Sequence, residues 1–492
     1  MDGWFDFASQ FDWRPSWWSV LGAVTYALAL LSIPSVLLQR RGSPQAAVSW
    51  ILVLFSLPFL GLLLWWAFGR QHLVRKRRRR LRAADKMTRS LSELREALPS
   101  SPEARWDMLS FRRLPPEDAE WVFPPTAGNR VRLLIDGEQA YPAMEDAIVS
   151  AEHHVHLLFY IWNDDGTGRR YRDLLVDRAQ AGVQVRVLCD AYGSPAARRE
   201  LMRPLNEAGG QVAVFLPPRI FARRPHLNFR NHRKLVVVDG ATGFVGGLNI
   251  GDEYNKWRDT ALCVHGPAVD QLQEVFVDDW FFAHQEDIST PEYFGRWRTE
   301  DCKLSGTLDD DALCAVVASG PHTENNITHD ALFTAITRAD HRVWITTPYL
   351  IPSPSIMAAL RTAVYRGVDV RVMLPARGDS RIVQWAWRSY YPSLLGAGVR
   401  IFEYLPGFLH AKSALFDDDL SVVGSANIDI RSFKLNFEVS CAVRSHALCN
   451  ALARQFEVDM SRARRVALAE VEGRSTAAKL AEAVAHLFSP LM

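Results

Sequence analysis

The chain lacks the cysteine and histidine spacings that hold a structural metal. Its six cysteines form no C-x-x-C pair and no Cys/His ligand set, which excludes a zinc ribbon or finger and indicates no disulfide framework. A P-loop and a dinucleotide-binding glycine fingerprint are also missing. We therefore expect reduced, mostly buried thiols, no metal site, and no nucleotide or other cofactor.

A broad basic surface is missing too. The 492 residues carry a net charge of +2, and eight basic residues are concentrated in one run between positions 70 and 82. Without those eight, the net charge of the remainder is −6. A protein that grips a polyanion such as DNA needs a wide positive face. The charge pattern therefore argues against nucleic acid as a partner.

Long apolar runs are present at the start of the chain. Residues 17–38 and 46–68 are uncharged, and each run is long enough to cross ~30 Å of hydrocarbon as a helix. The N-terminus carries Asp2, Asp6 and Asp12 where a cleavable signal peptide would have basic residues, so we expect a retained hairpin anchor. The basic run that follows predicts a cytoplasmic location for that end, and it would also attract anionic lipids.

Beyond residue 130 the chain repeats itself. Ala147-Ile-Val-Ser-Ala151 recurs as Ala335-Ile-Thr-Arg-Ala339, and Gly182-Val-Gln-Val-Arg-Val187 recurs as Gly367-Val-Asp-Val-Arg-Val372. Helices alternating with strands in both copies predict an α/β fold of two similar sandwich lobes, which face each other about a pseudo-two-fold axis. The expected division is a membrane anchor at 1–69, a polybasic and connecting region at 70–130, lobes at 131–310 and 311–470, and a tail at 471–492 with a short amphipathic helix.

A third repeated pattern carries the chemistry. Its first copy is His232-x-Lys234-x-x-x-x-Asp239 followed by Asn249, and its second copy is His410-x-Lys412-x-x-x-x-Asp417 followed by Asn427. The two copies have the same internal spacing over eighteen positions. Positions i and i+2 of a strand share a face ~6.5–7 Å apart, so each His and Lys should project into one site.

These residue types suit displacement at a phosphodiester without a metal. A neutral imidazole can attack phosphorus and later leave, while a second, protonated imidazole can give its proton to the departing alkoxide. The two lysines and the two asparagines would hold the non-bridging oxygens. Because each lobe supplies half of this set, the site should form where the lobes meet.

Four acidic residues accompany the two half-sites. Asp259 follows Asn249 by ten residues and Glu438 follows Asn427 by eleven, so each is positioned to accept the second ring N–H of a histidine; a surface carboxylate is the alternative. Asp239 and Asp417 belong to the motif itself. Their odd offset from the histidine would aim them at the opposite face, which favours a structural role.

The doubled motif resembles the phospholipase D superfamily. Flanking segments are similar to bacterial cardiolipin synthases in particular, among them Asn228-Phe-Arg-Asn-His-Arg-Lys234, Trp257-Arg-Asp259, Thr347-Pro-Tyr349 and Tyr404-Leu-Pro-Gly-Phe-Leu-His410. The anchor resembles that family as well. One departure is Gly247, which stands where the second copy has Ser425.

The resemblance implies transfer of a phosphatidyl group between two phosphatidylglycerol molecules through a phosphohistidine, giving cardiolipin and glycerol. By analogy His232 is the nucleophile and His410 the general acid/base, although the reverse order uses the same residues. A membrane phospholipase D, or a transferase for another headgroup alcohol, is the alternative. The expected partners are anionic phospholipids, and the expected location is the bacterial cell membrane as a multi-pass protein with cytoplasmic lobes. The sequence leaves the oligomeric state open.

Overall fold

The structure is a computed structural model, and it describes residues 17–39, 44–66, 123–217, 229–298, 309–321 and 326–489. These residues form two compact units, one built from the N-terminal helices and one that contains all the repeated motifs. The basic run and most of the expected connecting region lie outside the described residues.

The N-terminal unit contains the helices α1 (Trp17–Gln39), α2 (Pro44–Ser56) and α3 (Pro58–Leu64). Among the described residues, α1 alone is long and apolar enough to cross a bilayer. The expected second helix at 46–68 is interrupted at Leu57, because Pro58 has no N–H and disfavours helical geometry in the residue before it. The three helices pack together, with Val36, Leu54 and Trp65 in the buried seam.

The second unit alternates strands and helices along both copies of the repeat. Its strands are β1 (Thr126–Ile135), β2 (His154–Phe159), β3 (Gln184–Asp190), β4 (Gln211–Phe215), β5 (Arg230–Asn231), β6 (Leu235–Val238), β7 (Thr242–Gly246), β8 (Thr260–His265), β9 (Asp309–Ser319), β10 (Arg342–Thr346), β11 (Asp369–Pro375), β12 (Arg400–Tyr404), β13 (Ser413–Phe416), β14 (Leu420–Gly424), β15 (Asn436–Arg444) and β16 (Ala463–Arg465).

Its helices are α4 (Asp136–Val149), α5 (Gly166–Gln180), α6 (Arg203–Glu207), α7 (Ala268–His284), α8 (Ile327–Arg338), α9 (Pro354–Tyr365), α10 (Arg381–Arg388), α11 (Tyr391–Gly396), α12 (Ile430–Lys434), α13 (His446–Ser461), α14 (Leu468–Glu472) and α15 (Thr476–Leu487). The last of these lies where the amphipathic tail helix was expected.

The strands form one mixed sheet whose two halves have matching strand orders. The first half runs β1-β8-β7-β6-β2-β3-β4 and the second runs β9-β15-β14-β13-β10-β11-β12, with β16 added at the second edge. Strand β9 pairs with both β1 and β15 in antiparallel fashion, so the half-sheets join edge to edge. The expected pair of α/β lobes is present, and the lobes share a continuous sheet in addition to meeting at the site.

Successive residues of the inner strands bury their side chains on opposite faces of the sheet. In β2, Leu157 packs in the cluster that includes helices α4 and α5, whereas Leu158 packs in the cluster that includes helix α7. Such strands are buried on both faces and read as continuous apolar runs, as in Leu235–Val238. The result is helix–sheet–helix layering that fixes the strand ends from which the repeated motifs project.

Candidate active site

Each His-x-Lys segment lies just before a strand of its own lobe and hydrogen-bonds to the backbone of the other lobe. His232 and Lys234 precede β6, and His410 and Lys412 precede β13. The N–H of His232 donates to the carbonyl of Phe437 at 2.9 Å, and β5 pairs with the start of β15. The N–H of His410 donates to the carbonyl of Arg258 at 2.8 Å. The two halves therefore meet by exchanging backbone contacts.

The carboxylates follow the same exchange. Glu438 of the second lobe contacts Nδ1 of His232 at 3.1 Å through Oε2, and Asp259 of the first lobe contacts Nδ1 of His410 at 2.7 Å through Oδ2. The side chain of His232 is 12% exposed and that of His410 is 7% exposed. A carboxylate on Nδ1 holds the ring orientation and tautomer, so Nε2 of each histidine is the nitrogen left for chemistry.

The residue two positions before the motif asparagine differs between the lobes for a steric reason. Ser425 donates its hydroxyl to Glu438 Oε2 at 2.5 Å. In the first lobe the equivalent residue is Gly247, and a Cβ there would lie 2.2 Å from Oδ1 of Asp259. Asp259 Oδ1 accepts instead from the N–H of Thr260 at 2.7 Å. A hydroxyl is thus used on one side only, because the Asp259 carboxylate occupies its place on the other.

The lysines and asparagines of the motif surround the same centre. Nζ of Lys234 donates to the carbonyl of His232 at 2.6 Å, and Nζ of Lys412 donates to the carbonyl of His410. Asn249 accepts from the N–H of Ile161 through Oδ1 at 3.2 Å, which leaves its amide N–H groups for a ligand. The structure therefore brings both lysines close to their own histidines while they remain buried.

Burial governs the protonation of the four motif side chains. Burial lowers the pKa of His232 to about 4, against the opposing effect of Glu438. Burial, with help from Lys412, lowers the pKa of His410 to about 3, and burial lowers the pKa of Lys412 to about 8. The pKa of Lys234 is also well below its ordinary value because of burial. In the empty site both imidazoles are neutral near pH 7.

The two carboxylates remain ionised despite their burial. Burial would raise the pKa of Asp259, but Lys412 and His410 bring it below the ordinary value. Glu438 behaves in the same way, since His232 and Lys234 outweigh the effect of burial on its pKa. Below about pH 8 the Lys412 ammonium thus faces two anionic carboxylates, and an entering phosphodiester adds a further negative charge. That charge favours protonation of one histidine, which a general acid requires.

Asp239 and Asp417 lie at the other end of the strands, away from the histidines. The four residues of β6 separate Lys234 from Asp239, which sits in a turn with φ of 53°. Its carboxylate accepts the N–H groups of Glu152, His153 and His154 at 2.8–2.9 Å. Asp417, with φ of 49°, accepts the equivalent three N–H groups of residues 340–342. Both aspartates satisfy the backbone that leads into the neighbouring strand.

Two buried arginines stabilise the segments through which the lobes contact each other. Neither of them was predicted to have this role from the sequence. Arg233 is completely buried, donates to Asp279 at 2.7 Å, and donates to the carbonyl of Glu438 at 3.1 Å. Arg258 donates to Asp459 at 2.9 Å, and the two form a buried ion pair. Strand parity was the available signal for Arg233, because a charge between His232 and Lys234 must face inward and needs a partner.

Comparison with known proteins places the whole chain among lipid enzymes of one type. Residues 144–280 and 332–460 match the family described as cardiolipin synthase, PLD-like domain, and residues 21–70 match the phospholipase D-nuclease N-terminal family. A cardiolipin synthase of Geobacillus thermodenitrificans is 35% identical over 96% of this chain and 93% of its own length. Cardiolipin synthase A of Pseudomonas fluorescens is 38% identical over 97% of this chain and 99% of its own.

A solved structure shares the fold. The crystal structure of a phosphatidylserine synthase from Haemophilus influenzae superposes with a TM-score of 0.57, covering 83% of this chain and 100% of that one. The sequence identity is 14%, so this likeness concerns the fold alone. It supports the two-lobed fold.

A structural role for the motif aspartates predicts a loss of stability without a loss of chemistry. Replacing Asp417 by Ala removes the acceptor of three backbone N–H groups, which costs about 1–2 kcal/mol, and a lower Tm in thermal unfolding of the purified protein should report it. Turnover per folded molecule at 25 °C should stay near the parent value. Asp418→Ala is the matched control, since Asp418 is 67% exposed in a surface ion pair. A kcat loss of several orders of magnitude in Asp417→Ala would instead assign this carboxylate to the reaction.

The pKa values predict that a phosphate mimic binds together with a proton. Sulfate is a tetrahedral dianion that does not titrate above pH 5. Because the pKa of His410 is about 3 without the anion and the anion raises it, the inhibition constant for sulfate should rise with pH above pH 5, by up to tenfold per unit, until the pH reaches the pKa of His410 in the complex. Above about pH 8 the rise should steepen, since Lys412 then loses its own proton.

The variant Lys412→Arg separates the two effects. A guanidinium stays charged throughout this range, so the steepening above about pH 8 should disappear while the slope below it remains. Inhibition constants measured at constant ionic strength provide the readout. A sulfate affinity that does not change between pH 5 and 8 would show that no histidine takes up a proton when the anion binds.

Proposed function

The chain belongs to the cardiolipin synthase family of phospholipase D-like proteins, and from that premise we propose that it joins two phosphatidylglycerol molecules into cardiolipin and glycerol. The observation that carries the proposal is the pairing of His232 and His410, each next to a buried lysine of its own motif and each held by a carboxylate of the opposite lobe. Such a site supplies one neutral imidazole and one proton carrier without a metal.

In the first step, Nε2 of His232 attacks the phosphorus of a phosphatidylglycerol. A P–N bond forms while the P–O bond to the headgroup glycerol breaks, and His410 gives its proton to the departing oxygen. Lys234 and Lys412, with the amide groups of Asn249 and Asn427, hold the non-bridging oxygens as charge develops on them. The product of this step is a phosphatidyl group on His232 and free glycerol.

In the second step, the terminal hydroxyl of another phosphatidylglycerol attacks the same phosphorus. His410 accepts the hydroxyl proton, the new P–O bond forms, and the P–N bond to His232 breaks. One phosphodiester replaces another, so the exchange needs no nucleotide. The low exposure of both histidines supports transfer over hydrolysis, because water is largely excluded at the stage when it would compete.

The test gives the purified full-length protein phosphatidylglycerol as its sole lipid, in detergent without added metal. Mass spectrometry should find cardiolipin, with an equal amount of glycerol released. Phosphatidic acid as the main product would point to a phospholipase, and absence of any product would overturn the proposal. The assignment of roles is checked by quenching reactions of His232→Asn and His410→Asn and searching for the phosphatidyl adduct. It should be missing in the first variant and detectable on His232 in the second.

We further propose that the chain is a multi-pass protein of the bacterial cell membrane with both lobes in the cytoplasm. The supporting features are the apolar helix α1, the second apolar stretch after it, and the eight basic residues that follow. A protease-sensitive tag at the C-terminus should be cut in inside-out vesicles and protected in spheroplasts. A tag placed between residues 40 and 43 should show the opposite pattern. Cleavage of the C-terminal tag in intact spheroplasts would contradict this orientation.

A further inference from the structure

The second lobe contains a cavity that opens beside the catalytic centre. It lies between helix α8 and the sheet and has a volume of about 60 Å³. Its wall includes Lys412 and Asn427 of the site, together with Thr328 of α8 and apolar side chains such as Val422 and Phe433. A water molecule needs about 10–15 Å³ of such volume. The cavity therefore holds roughly four to six non-hydrogen atoms.

The repeat supplies an internal comparison that accounts for this cavity. Strand register and the spacing of the motif give several wall residues a counterpart in the first lobe. At several of these positions the first lobe has the larger side chain: Leu134 for Val317, Val236 for Ala414, Phe244 for Val422, Leu248 for Ala426, and Cys263 for Ala442. The first-lobe residues are buried in one cluster. Larger side chains thus fill this space in the first lobe, and the smaller side chains of the second lobe leave a cavity there.

Two polar atoms on the cavity wall have no hydrogen-bond partner among the described residues. They are Oγ1 of Thr328 and Oδ1 of Asn427, and both are buried. Asn427 donates its amide to Asp429 at 3.2 Å, which fixes the orientation of the amide and leaves Oδ1 as an unpaired acceptor. In the first lobe the position of Thr328 is Ala140, and Oδ1 of Asn249 is satisfied by a backbone N–H. Buried polar groups are nearly always paired, so these two point to a ligand with hydroxyl groups.

We propose that this cavity binds the headgroup glycerol of the donor phosphatidylglycerol, the alcohol that leaves in the first step. Glycerol has six non-hydrogen atoms, its carbons suit the apolar wall, and its two free hydroxyls reach Asn427 Oδ1 and Thr328 Oγ1. The inference rests on the proposed function and extends it to substrate choice. It also places the leaving oxygen opposite His232, on the side of the second lobe, which carries His410.

The experiment compares two donors with the full-length enzyme, phosphatidylglycerol and phosphatidylpropanol, which has the same carbons without the free hydroxyls. The rate of alcohol release is measured for each in a single turnover with the enzyme in excess, because phosphatidylpropanol has no hydroxyl that could accept the phosphatidyl group; kcat/KM then refers to this first step. The wild type should prefer the glycerol donor, and Thr328→Val, which keeps the shape and removes the hydroxyl, should reduce kcat/KM for that donor about tenfold. Its kcat/KM for phosphatidylpropanol should stay unchanged. The preference between donors therefore falls by the same factor.

Filling the cavity with first-lobe residues gives a second test that does not depend on one hydrogen bond. Val422→Phe and Ala426→Leu should slow both donors while the Tm stays at or above that of the wild type, since an empty cavity is destabilising. Phe244→Val is the matched control in the first lobe. It should lower the Tm and leave the donor preference intact.

Three outcomes would overturn the assignment or the premise, and they are distinguishable. An unchanged donor preference in Thr328→Val, together with normal rates in the filled variants, would remove the headgroup pocket while leaving the synthase function in place. A filled variant that alters the choice between short and long acyl chains, with the headgroup preference intact, would replace glycerol by hydrocarbon as the occupant. Failure of the wild type to release alcohol from either donor would overturn the proposed function itself.

Discussion

The structure depends on two carboxylates that cross between the lobes, one from each. His232 is held by Glu438 and His410 by Asp259, and each partner comes from the other copy of the repeat. A lobe separated from its partner would therefore lose the group that orients its histidine as well as half of the phosphate clamp. The joined sheet, β5 on β15, and the contact of His410 with the Arg258 carbonyl all serve to keep these pairs in register.

This constraint explains why so many charges are buried around the site. Lys234, Lys412, Asp259 and Glu438 are each almost fully enclosed, an arrangement that costs desolvation energy and is tolerated only when every charge has a partner. The pKa values of both histidines are low before a substrate binds. The negative charge of a phosphodiester raises them, so we expect the site to take up a proton together with its substrate. Substrate and acid catalyst are coupled through electrostatics, without a moving part.

Much of this could be predicted from the sequence, and the failures have physical causes. Repeat spacing predicted two α/β lobes and placed each His and Lys together, since strand geometry is local. Spacing could not tell which histidine receives Asp259 and which receives Glu438, because that pairing depends on how the lobes meet. The prediction of one helix at 46–68 did not take account of Pro58, which interrupts that helix. The alternation of side chains along a strand cannot predict the direction of Asp239, because β6 ends at Val238 and Asp239 lies in the turn that follows.

The two lobes have similar backbones, but the surroundings of their histidines differ. The proposed transfer uses one imidazole as the nucleophile and the other as the proton carrier. The surroundings of the two carboxylates differ. Glu438 accepts a hydrogen bond from the Ser425 hydroxyl as well as contacting His232, whereas Asp259 packs against Gly247. The space behind them differs as well, since Phe244 fills the first lobe where Val422 leaves the second open. Under the proposed assignment the leaving alcohol occupies the open lobe, which is also the lobe that carries the proton donor His410.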